Sequence, residues 1–332
     1  MKTIKEIGEF GFIRLLEERN RVFFNRVIKG IGDDCAILEK DQESVFLIST
    51  ELFIEDVHFL KKKSPPYELG LKVVNASLSD IAATGGRPLY LFTSIAVPQE
   101  TGLDYLESLY KGIKEACKKY KVDIVGGDTS SSPDRIAISI AVLGEAKKDK
   151  LVYRKGAHPG DLIYVTGYLG DSAAGLMLIK EKLSAPEDIA KKLVNAHHIP
   201  CPRLEIGNMV AEHGLANAMI DISDGLIADL NHICEASNTG AIIYLKNLPI
   251  SQELTCLKER LSFPLHELAL YGGEDYELII VVPSNKAPRF KRLCSEKGFS
   301  VYLIGRMVKE KGIRLALDNR HIPLTIKGYT HF

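Results

Sequence analysis

The chain has 332 residues, enough for two domains of ordinary size, each with its own hydrophobic core. Hydrophobic residues make up 45% and charged residues 26% of the sequence, a composition that is typical of a globular protein and excludes a disordered or fibrous chain. The 43 basic residues equal the 43 acidic residues, so no strong net field favours nucleic acid or an anionic membrane as a partner.

Scattered cysteines and the first residues of the chain predict a cytoplasmic location. None of the six cysteines has the close spacing of a zinc site, and the chain is too long for a small disulfide-stapled domain, so we expect reduced, mostly buried thiols. Residues 1–12 lack the apolar core of a secretory signal. No run of the sequence approaches the ~18 apolar residues of a membrane span.

Apolar periodicity in the first half predicts a mixed sheet with helices on one face. The predicted helices are residues 3–18, Leu69–Ala83 and Leu103–Lys119, and the predicted strands are Cys35–Leu38, Val45–Thr50, Leu89–Val97, Val122–Val125 and Ile136–Leu143. Thr84, Gly85 and Gly86 follow the second of these helices as a C-cap, with Pro88 just beyond.

A polar stretch with glycines and a proline, residues 145–160, indicates a domain boundary. We place the two domains at residues 1–148 and 149–332. In the second half, the predicted strands are Leu162–Val165, Ala218–Ile222, Leu278–Val282 and Val301–Ile304, and the predicted helices begin near Asp171 and cover Arg203–His213 and Leu226–Ala236. This alternation predicts an α/β or α+β second domain.

Short acidic clusters recur along the chain, most of them after an apolar strand or beside a glycine. They are Asp33 and Asp34 in GIGDDCAIL, Glu51 in ISTELF, Asp80 in NASLSDIAATGG, Asp128 in IVGGDTSSS, Asp221 and Asp224 in IDISDGL, and Glu274 and Asp275 in YGGEDYEL. Any one cluster alone is equally typical of a turn or a helix N-cap. As a set they predict clustered Mg²⁺ ions that bridge a polyphosphate, because magnesium prefers carboxylate oxygens together with substrate phosphates.

Donors for phosphate groups occur in the same regions. Gly126-Gly127 and Gly272-Gly273 could present backbone N–H groups, and Arg87 and Arg154 could add guanidinium contacts or form structural ion pairs. The sequence contains no GxxxxGKS or GxxxxGKT motif, no HRD and DFG pair, and no GxGxxG before a helix. These absences exclude a P-loop nucleotide site and argue against a protein kinase or a dinucleotide enzyme.

The ordered set of motifs resembles the thiamine-monophosphate kinase family, which shares a superfamily with aminoimidazole ribonucleotide synthetase, selenophosphate synthetase and a hydrogenase-maturation protein. The matching segments span nearly the whole chain in family order, and IDISDGL together with GGEDYEL is the most specific pair. The segments are GIGDDCAIL, STELFIEDVHF, NASLSDIAATGGRP, GGDTS, GYLGDSAAGL, CPRLEIG, IDISDGLIADL, GGEDYEL and KGYTHF.

The resemblance implies ATP as co-substrate, several magnesium ions and no dedicated catalytic base. The implied magnesium ligands are Asp34, Ser49, Thr50, Glu51, Asp80, Asp128, Asp221 and Asp224, of which Asp80, Asp128 and Asp224 are expected to be the most critical. The implied ATP contacts are Tyr110, Gly127, Asp128, Arg154 and Ser223, and the implied contacts of the thiamine phosphate are His58, Glu274 and Tyr329. Glu51 departs from the aspartate that the family usually carries, so both a direct and a water-mediated metal contact stay open. His197 and His198 receive no role.

The resemblance also implies a two-domain, mixed α/β (α+β) fold like that of aminoimidazole ribonucleotide synthetase. Its N-terminal sheet would pair with a second subunit as a barrel-like homodimer core, with ATP between subunits and domains. The implied activity is direct transfer of a phosphoryl group from ATP to thiamine monophosphate, without a phosphoenzyme and without a nucleic-acid or membrane partner.

Two other hypotheses stay open beside this one: another ATP-dependent synthetase of the superfamily, and a non-catalytic nucleotide- or metal-binding protein. A selenophosphate synthetase is expected to carry a reactive cysteine or selenocysteine near its N-terminus, and no cysteine precedes Cys35. The hydrogenase-maturation relative is expected to end in a cysteine, and residues 330–332 are Thr, His and Phe.

Overall fold

The structure is a computed structural model that describes residues 3–19, 23–317, 320–324 and 329. Within these residues, the first half of the chain forms a six-stranded sheet in the order β1-β2-β3-β6-β4-β5. Its strands are β1 (Val27–Lys29), β2 (Ala36–Glu39), β3 (Ser44–Ile54), β4 (Arg87–Val97), β5 (Asp123–Ser131) and β6 (Ala137–Lys147). β4 and β5 are parallel and the other neighbours are antiparallel, so the predicted mixed sheet is confirmed.

Helices cover one face of this sheet, as predicted. The helices of this half are α1 (Ile4–Arg19), α2 (Pro66–Ala83) and α3 (Leu103–Tyr120). Alternate residues of the strands, such as Leu47 and Ile140, are fully buried in one core cluster with residues of α2 and α3. α2 and α3 pack unusually closely, because a Cβ atom on Gly112 would lie 2.0 Å from the carbonyl oxygen of Tyr67.

The opposite face of the N-terminal sheet carries large exposed apolar side chains. Leu52 on β3, Tyr90 and Phe92 on β4, and Val125 on β5 are between 42% and 51% exposed. Exposed apolar groups gathered on one sheet face mark an interaction surface more often than a solvated one. We call these four residues the outer apolar face.

The second half of the chain forms a sheet of seven strands within the described residues, in the order β13-β12-β9-β11-β7-β10-β8. Its strands are β7 (Leu162–Thr166), β8 (Ala218–Asp221), β9 (Gly240–Tyr244), β10 (Leu278–Val282), β11 (Val301–Val308), β12 (Gly312–Leu317) and β13 (Arg320–Pro323). Its helices are α4 (Asp171–Ile179), α5 (Glu187–His198), α6 (Leu204–Glu212), α7 (Leu226–Ser237), α8 (Gln252–Thr255), α9 (His266–Tyr271) and α10 (Ala287–Glu296). β9 and β12 are parallel, so this sheet is mixed too.

The C-terminal sheet is covered on both faces. α7 packs on one face, and α6 and α10 pack on the other, which is why all five residues of β10 are buried. The core beneath α6 also contains Ala82 and Ala83, so the end of α2 joins the two halves. The strands leave residues 148–161 between the sheets, and the predicted division at residue 148 stays a prediction. Among the described residues, each helix is too short or too polar to cross a membrane.

Candidate active site

One large cavity opens between the two sheets. Its volume is about 1720 Å³, and it is lined by α1, β3 and α2 from the first half and by the loops after β8 and α9 from the second half. Pockets of about 300–1,000 Å³ hold one drug-sized ligand, so this cavity has room for two. The predicted site residues that line it are Asp34, Ser49, Thr50, Glu51, His58, Asp80, Arg154, Asp221, Ser223, Asp224, Glu274 and Tyr329.

Three carboxylates from distant parts of the chain meet in this cavity. Asp34 lies just before β2, Asp80 lies in the last turn of α2, and Asp221 is the final residue of β8. One oxygen atom of each lies within 4.8 Å of the others. Asp221 ends a strand, whereas Asp80 lies in the last turn of α2, within the helix predicted for Leu69–Ala83.

Burial and mutual repulsion raise the proton affinity of this cluster. Burial, together with the Asp34 carboxylate, raises the pKa of Asp221 to about 7. Burial also raises the pKa of Asp80 well above its ordinary value, with Glu51 and Asp221 adding to the effect. Acidic groups this close together favour a proton or a cation between them.

The guanidinium group of Arg154 pairs with one carboxylate of this cluster, that of Asp34. Its Nη2 and Nε atoms lie 2.6 and 3.0 Å from Oδ1 of Asp34, whereas Oδ2 of Asp34 is buried without a hydrogen-bond partner among the described residues. The hydroxyl of Ser49, on β3, donates a hydrogen bond to the carboxylate of Asp80. An orphaned buried oxygen and an excess of carboxylates fit a divalent cation, whose preferred ligands are of this type.

Glu51 lines the same cavity and interacts electrostatically with the carboxylate cluster. Burial, together with Asp221 and Asp224, raises the pKa of Glu51 to about 7. Ser49 and Glu51 lie on the inner side of β3, whereas Thr50 alternates to the exposed side. Thr50 also lines the cavity, but from the face of β3 opposite to that of Ser49 and Glu51.

The loop between β8 and α7 is held by a carboxylate that sequence reasoning missed. Oδ2 of Asp229, in the first turn of α7, accepts hydrogen bonds from the backbone N–H groups of Ser223, Asp224 and Gly225, each at 3.1 Å. These bonds fix the position of Asp224 at the cavity. The available signal was an acidic residue among the apolar positions of a predicted helix.

The cavity is also lined by a second set of polar residues, His58, Glu274 and Tyr329. Nδ1 of His58 accepts a hydrogen bond from the backbone N–H of Ile54 at 3.0 Å, which fixes the ring just after β3. Glu274 has a left-handed backbone with φ of +63°, and its N–H donates to the carbonyl of Ser223 at 2.7 Å. Tyr329, whose N–H donates to the carbonyl of Asp224, is the member of the KGYTHF motif within the described residues.

Three predicted ATP or metal contacts lie elsewhere. Gly127 and Asp128 are inside β5, where Asp128 pairs with Ser94, and Tyr110 is on α3; none of the three lines the cavity among the described residues. Gly126 and Gly127 lie within β5, and Gly127 packs closely against Thr93 of β4, so this glycine pair begins neither a turn nor a helix. Arg87 is exposed and pairs with Glu145, as the structural alternative predicts.

Comparison with known proteins relates the whole chain to one group. The family model described as AIR synthase related protein, N-terminal domain, matches residues 32–146, and the corresponding C-terminal domain model matches residues 158–318. The thiamine-monophosphate kinase of Buchnera aphidicola subsp. Schizaphis graminum is 38% identical over 98% of this chain and 99% of its own length. That of Aquifex aeolicus is 36% identical over 93% of this chain and 98% of its own length.

A solved structure extends the similarity to three dimensions. AaThiL complexed with AMPPCP and TMP superposes with a TM-score of 0.87 and 34% identity, covering 100% of this chain and 99% of that one. Both domain models, full-length relatives and the fold therefore agree, and the chain belongs to the thiamine-monophosphate kinase family.

Proposed function

We propose that this protein transfers a phosphoryl group from ATP to thiamine monophosphate and so makes thiamine diphosphate. The observation that carries this proposal is one cavity lined both by a carboxylate cluster and by His58, Glu274 and Tyr329. Family membership over the full length supports it, as does the similar structure complexed with AMPPCP and TMP. The cavity has room for a nucleotide and an acceptor together.

The carboxylate cluster fits the magnesium ions that such a transfer needs. Asp34, Asp80 and Asp221 would hold a cation between them. Ser49, Glu51 and Asp224 line the same cavity and would complete the set. Two unit charges 4 Å apart repel by about 4 kcal/mol at an effective dielectric constant of about 20, and bound magnesium offsets this repulsion between the two phosphates.

The chain's own residues bind and orient the reactants. Arg154 stays charged beside Asp34 and lines the cavity, so its guanidinium can contact a phosphate oxygen. The loop fixed by Asp229 presents Ser223 to the nucleotide. No general base is required, because the second pKa of a phosphate monoester is about 6 and the acceptor is largely ionised near neutral pH.

We propose further that the protein works as a homodimer joined through the outer apolar face. Leu52, Tyr90, Phe92 and Val125 form an apolar surface on a sheet that a second copy of the same sheet can cover. Asp128 is exposed on the edge strand of this sheet, so a partner subunit would bring new groups beside it. This arrangement gives Gly127, Asp128 and Tyr110 a place near ATP that one subunit alone does not offer.

A cytoplasmic location and the division into domains 1–148 and 149–332 complete the proposal. All six cysteines are free thiols, which suits a reducing compartment.

A coupled ADP-release assay tests the proposed activity. Thiamine monophosphate, free thiamine and an aminoimidazole precursor are compared side by side with ATP and magnesium. We expect ADP release with thiamine monophosphate but not with the other two compounds, and we expect EDTA to abolish this activity. Comparable turnover of free thiamine would contradict a kinase whose acceptor is a phosphate, and turnover of the aminoimidazole precursor would favour a synthetase.

A further inference from the structure

A buried lysine, Lys72, lies behind Glu274, one of the residues that line the cavity. Lys72 is on α2 between apolar neighbours, and 3% of its side chain is exposed. Its Nζ lies 2.7 Å from Oε1 of Glu274, whose side chain is one quarter exposed and lines the cavity. Lys72 thus contacts the cavity's carboxylate from the protein interior.

His197, on α5, completes this contact. Its Nε2 lies 3.2 Å from Nζ of Lys72. An ammonium group can only donate, so Nε2 accepts and the ring proton resides on Nδ1. Nδ1 then faces Oγ of Ser172 at 3.1 Å and Oε2 of Glu274 at 3.5 Å. Burial and the Lys72 charge lower the pKa of His197 to about 2, so the ring stays neutral while it holds the lysine.

Stability alone does not explain such a group. Replacing a buried ion pair by apolar residues of similar volume is often neutral or stabilising, because the desolvation of both charges offsets their attraction. Here one partner is enclosed and the other faces a cavity. The left-handed backbone of Glu274 further shows that its conformation is imposed by its surroundings.

We infer that Lys72 and His197 are positioning residues that hold the Glu274 carboxylate toward the organic part of the acceptor. Thiamine carries an amino group and a permanently cationic ring, and a fixed carboxylate can accept a hydrogen bond from the first or neutralise the second. Lys72 occupies Oε1, His197 approaches Oε2, and the exposed quarter of the side chain stays available to the ligand. The inference rests on the proposed function, since it assigns part of that acceptor site.

A double-mutant cycle on the full-length protein tests this inference. Lys72→Met, Glu274→Gln and the double variant are compared with the unaltered chain in KM for thiamine monophosphate, KM for ATP and kcat. If Lys72 acts through Glu274, we expect Lys72→Met to raise KM for thiamine monophosphate about tenfold, but by less than about twofold in the Glu274→Gln background. KM for ATP and kcat should change by less than about threefold in each case.

Lys192→Met serves as the control, because Lys192 is exposed and pairs with Glu253 at the surface. It should leave all three constants unchanged. An equal effect of Lys72→Met in both backgrounds, or an equal effect on KM for ATP, would overturn the inference and make the lysine a structural residue.

Two further outcomes are separated by the same design. If the unaltered protein does not phosphorylate thiamine monophosphate, the proposed function is wrong, and the inferred acceptor contact is overturned with it. If it does, and Lys72→Met alone fails to fold by circular dichroism, the same cycle is measured with His197→Leu. We expect that variant also to raise KM for thiamine monophosphate only when Glu274 is present, and His197→Gln to restore it.

Discussion

Asp80 is a carboxylate surrounded by other carboxylates, and this environment separates a metal ligand from a structural aspartate. It shares the cavity with Asp34 and Asp221, and one hydroxyl, that of Ser49, donates to it. A helix-capping or turn aspartate would instead accept backbone N–H groups, as Asp229 does. The two aspartates therefore lie in opposite environments, although both come from acidic motifs.

Replacement of Asp80 by asparagine tests this distinction. The change is nearly isosteric and removes a negative charge that burial disfavours, so the melting temperature without magnesium should equal or exceed that of the unaltered protein. The magnesium-induced rise in melting temperature should disappear, and kcat should fall about a hundredfold or more. Calorimetry with and without magnesium, together with the ADP-release assay, measures both effects.

Glu107→Gln, on the exposed side of α3, is the matched control and should change neither quantity. A lower melting temperature with normal turnover at saturating magnesium would show that Asp80 is a scaffold residue.

At the level of single residues, the sequence predicts the carboxylates but not the groups behind them. Asp34, Asp80 and Asp221 stand out because each belongs to an acidic motif beside glycine or a strand, and the fold brings them together. The contact between Lys72 and His197 joins residues 125 positions apart, each with an unremarkable local sequence. A lysine within the apolar stretch LGLKVVNAS was the available signal for that contact.

Strand and helix positions follow from periodicity where one face is buried, and fail where tertiary contacts decide. The sequence predicts β5 as Val122–Val125, but the strand continues to Ser131 because parallel pairing with β4 satisfies the backbone of the polar GGDTSS segment. β3 continues through Glu51 to Ile54, since its full length pairs with β6. α5, α8, α9 and α10 escape prediction, and so do β1, β9, β12 and β13. β12 buries Ile313 and Leu315 in the core that contains α7, a long-range contact that local propensity does not reveal.

The close packing of α2 against α3 gives a prediction at the level of elements. A Cβ on Gly112 would meet the carbonyl of Tyr67, and one on Gly70 would lie 2.1 Å from the carbonyl of Leu109. Gly112→Ala should therefore force the helices apart and lower the free energy of unfolding by about 1–3 kcal/mol. Gly30→Ala, at a glycine with open space around its Cβ position, should be nearly neutral. Urea denaturation compares the two, and equal effects would contradict a tight helix contact.

The carboxylate cluster also governs the stability of the whole molecule. Asp221 and Glu51 have pKa values of about 7 in the folded protein, against about 4 in an unfolded chain. The folded state therefore binds more protons than the unfolded state. The contribution of these two groups to stability is fully present below about pH 4 and is lost as the pH rises through 7. The low pKa values of His197 and His232 act in the opposite direction, but only below about pH 6.5.

In EDTA, the melting temperature should therefore fall by roughly 5 °C or more between pH 6.5 and pH 8.5. Magnesium should restore most of this loss, because a cation replaces the missing protons between the carboxylates. Scanning calorimetry at both pH values checks the expectation. A melting temperature that rises over this range in EDTA would show that the carboxylates are not a repulsive cluster.

The proposed dimer makes a prediction about assembly. Phe92→Glu places a charge at the centre of the outer apolar face and should convert a dimer into monomers at micromolar concentration, as measured by light scattering. Leu103→Glu, at an exposed leucine on α3 away from that face, should leave the dimer intact. A monodisperse, fully active monomer of the unaltered chain would contradict the proposed interface.

The α2 helix carries both Lys72, which pairs with Glu274, and Asp80 of the carboxylate cluster, and so sets the distance between these two contacts. Lys72 and Asp80 are eight residues apart, which at 1.5 Å per residue separates them by about 12 Å along the helix axis. A helix cannot stretch without breaking its backbone hydrogen bonds, so the distance between Lys72 and Asp80 is fixed. An acceptor lengthened by one methylene between its cationic ring and its phosphate should fit poorly and show a higher KM. A KM equal to that of thiamine monophosphate would show that the spacing along α2 does not select the substrate.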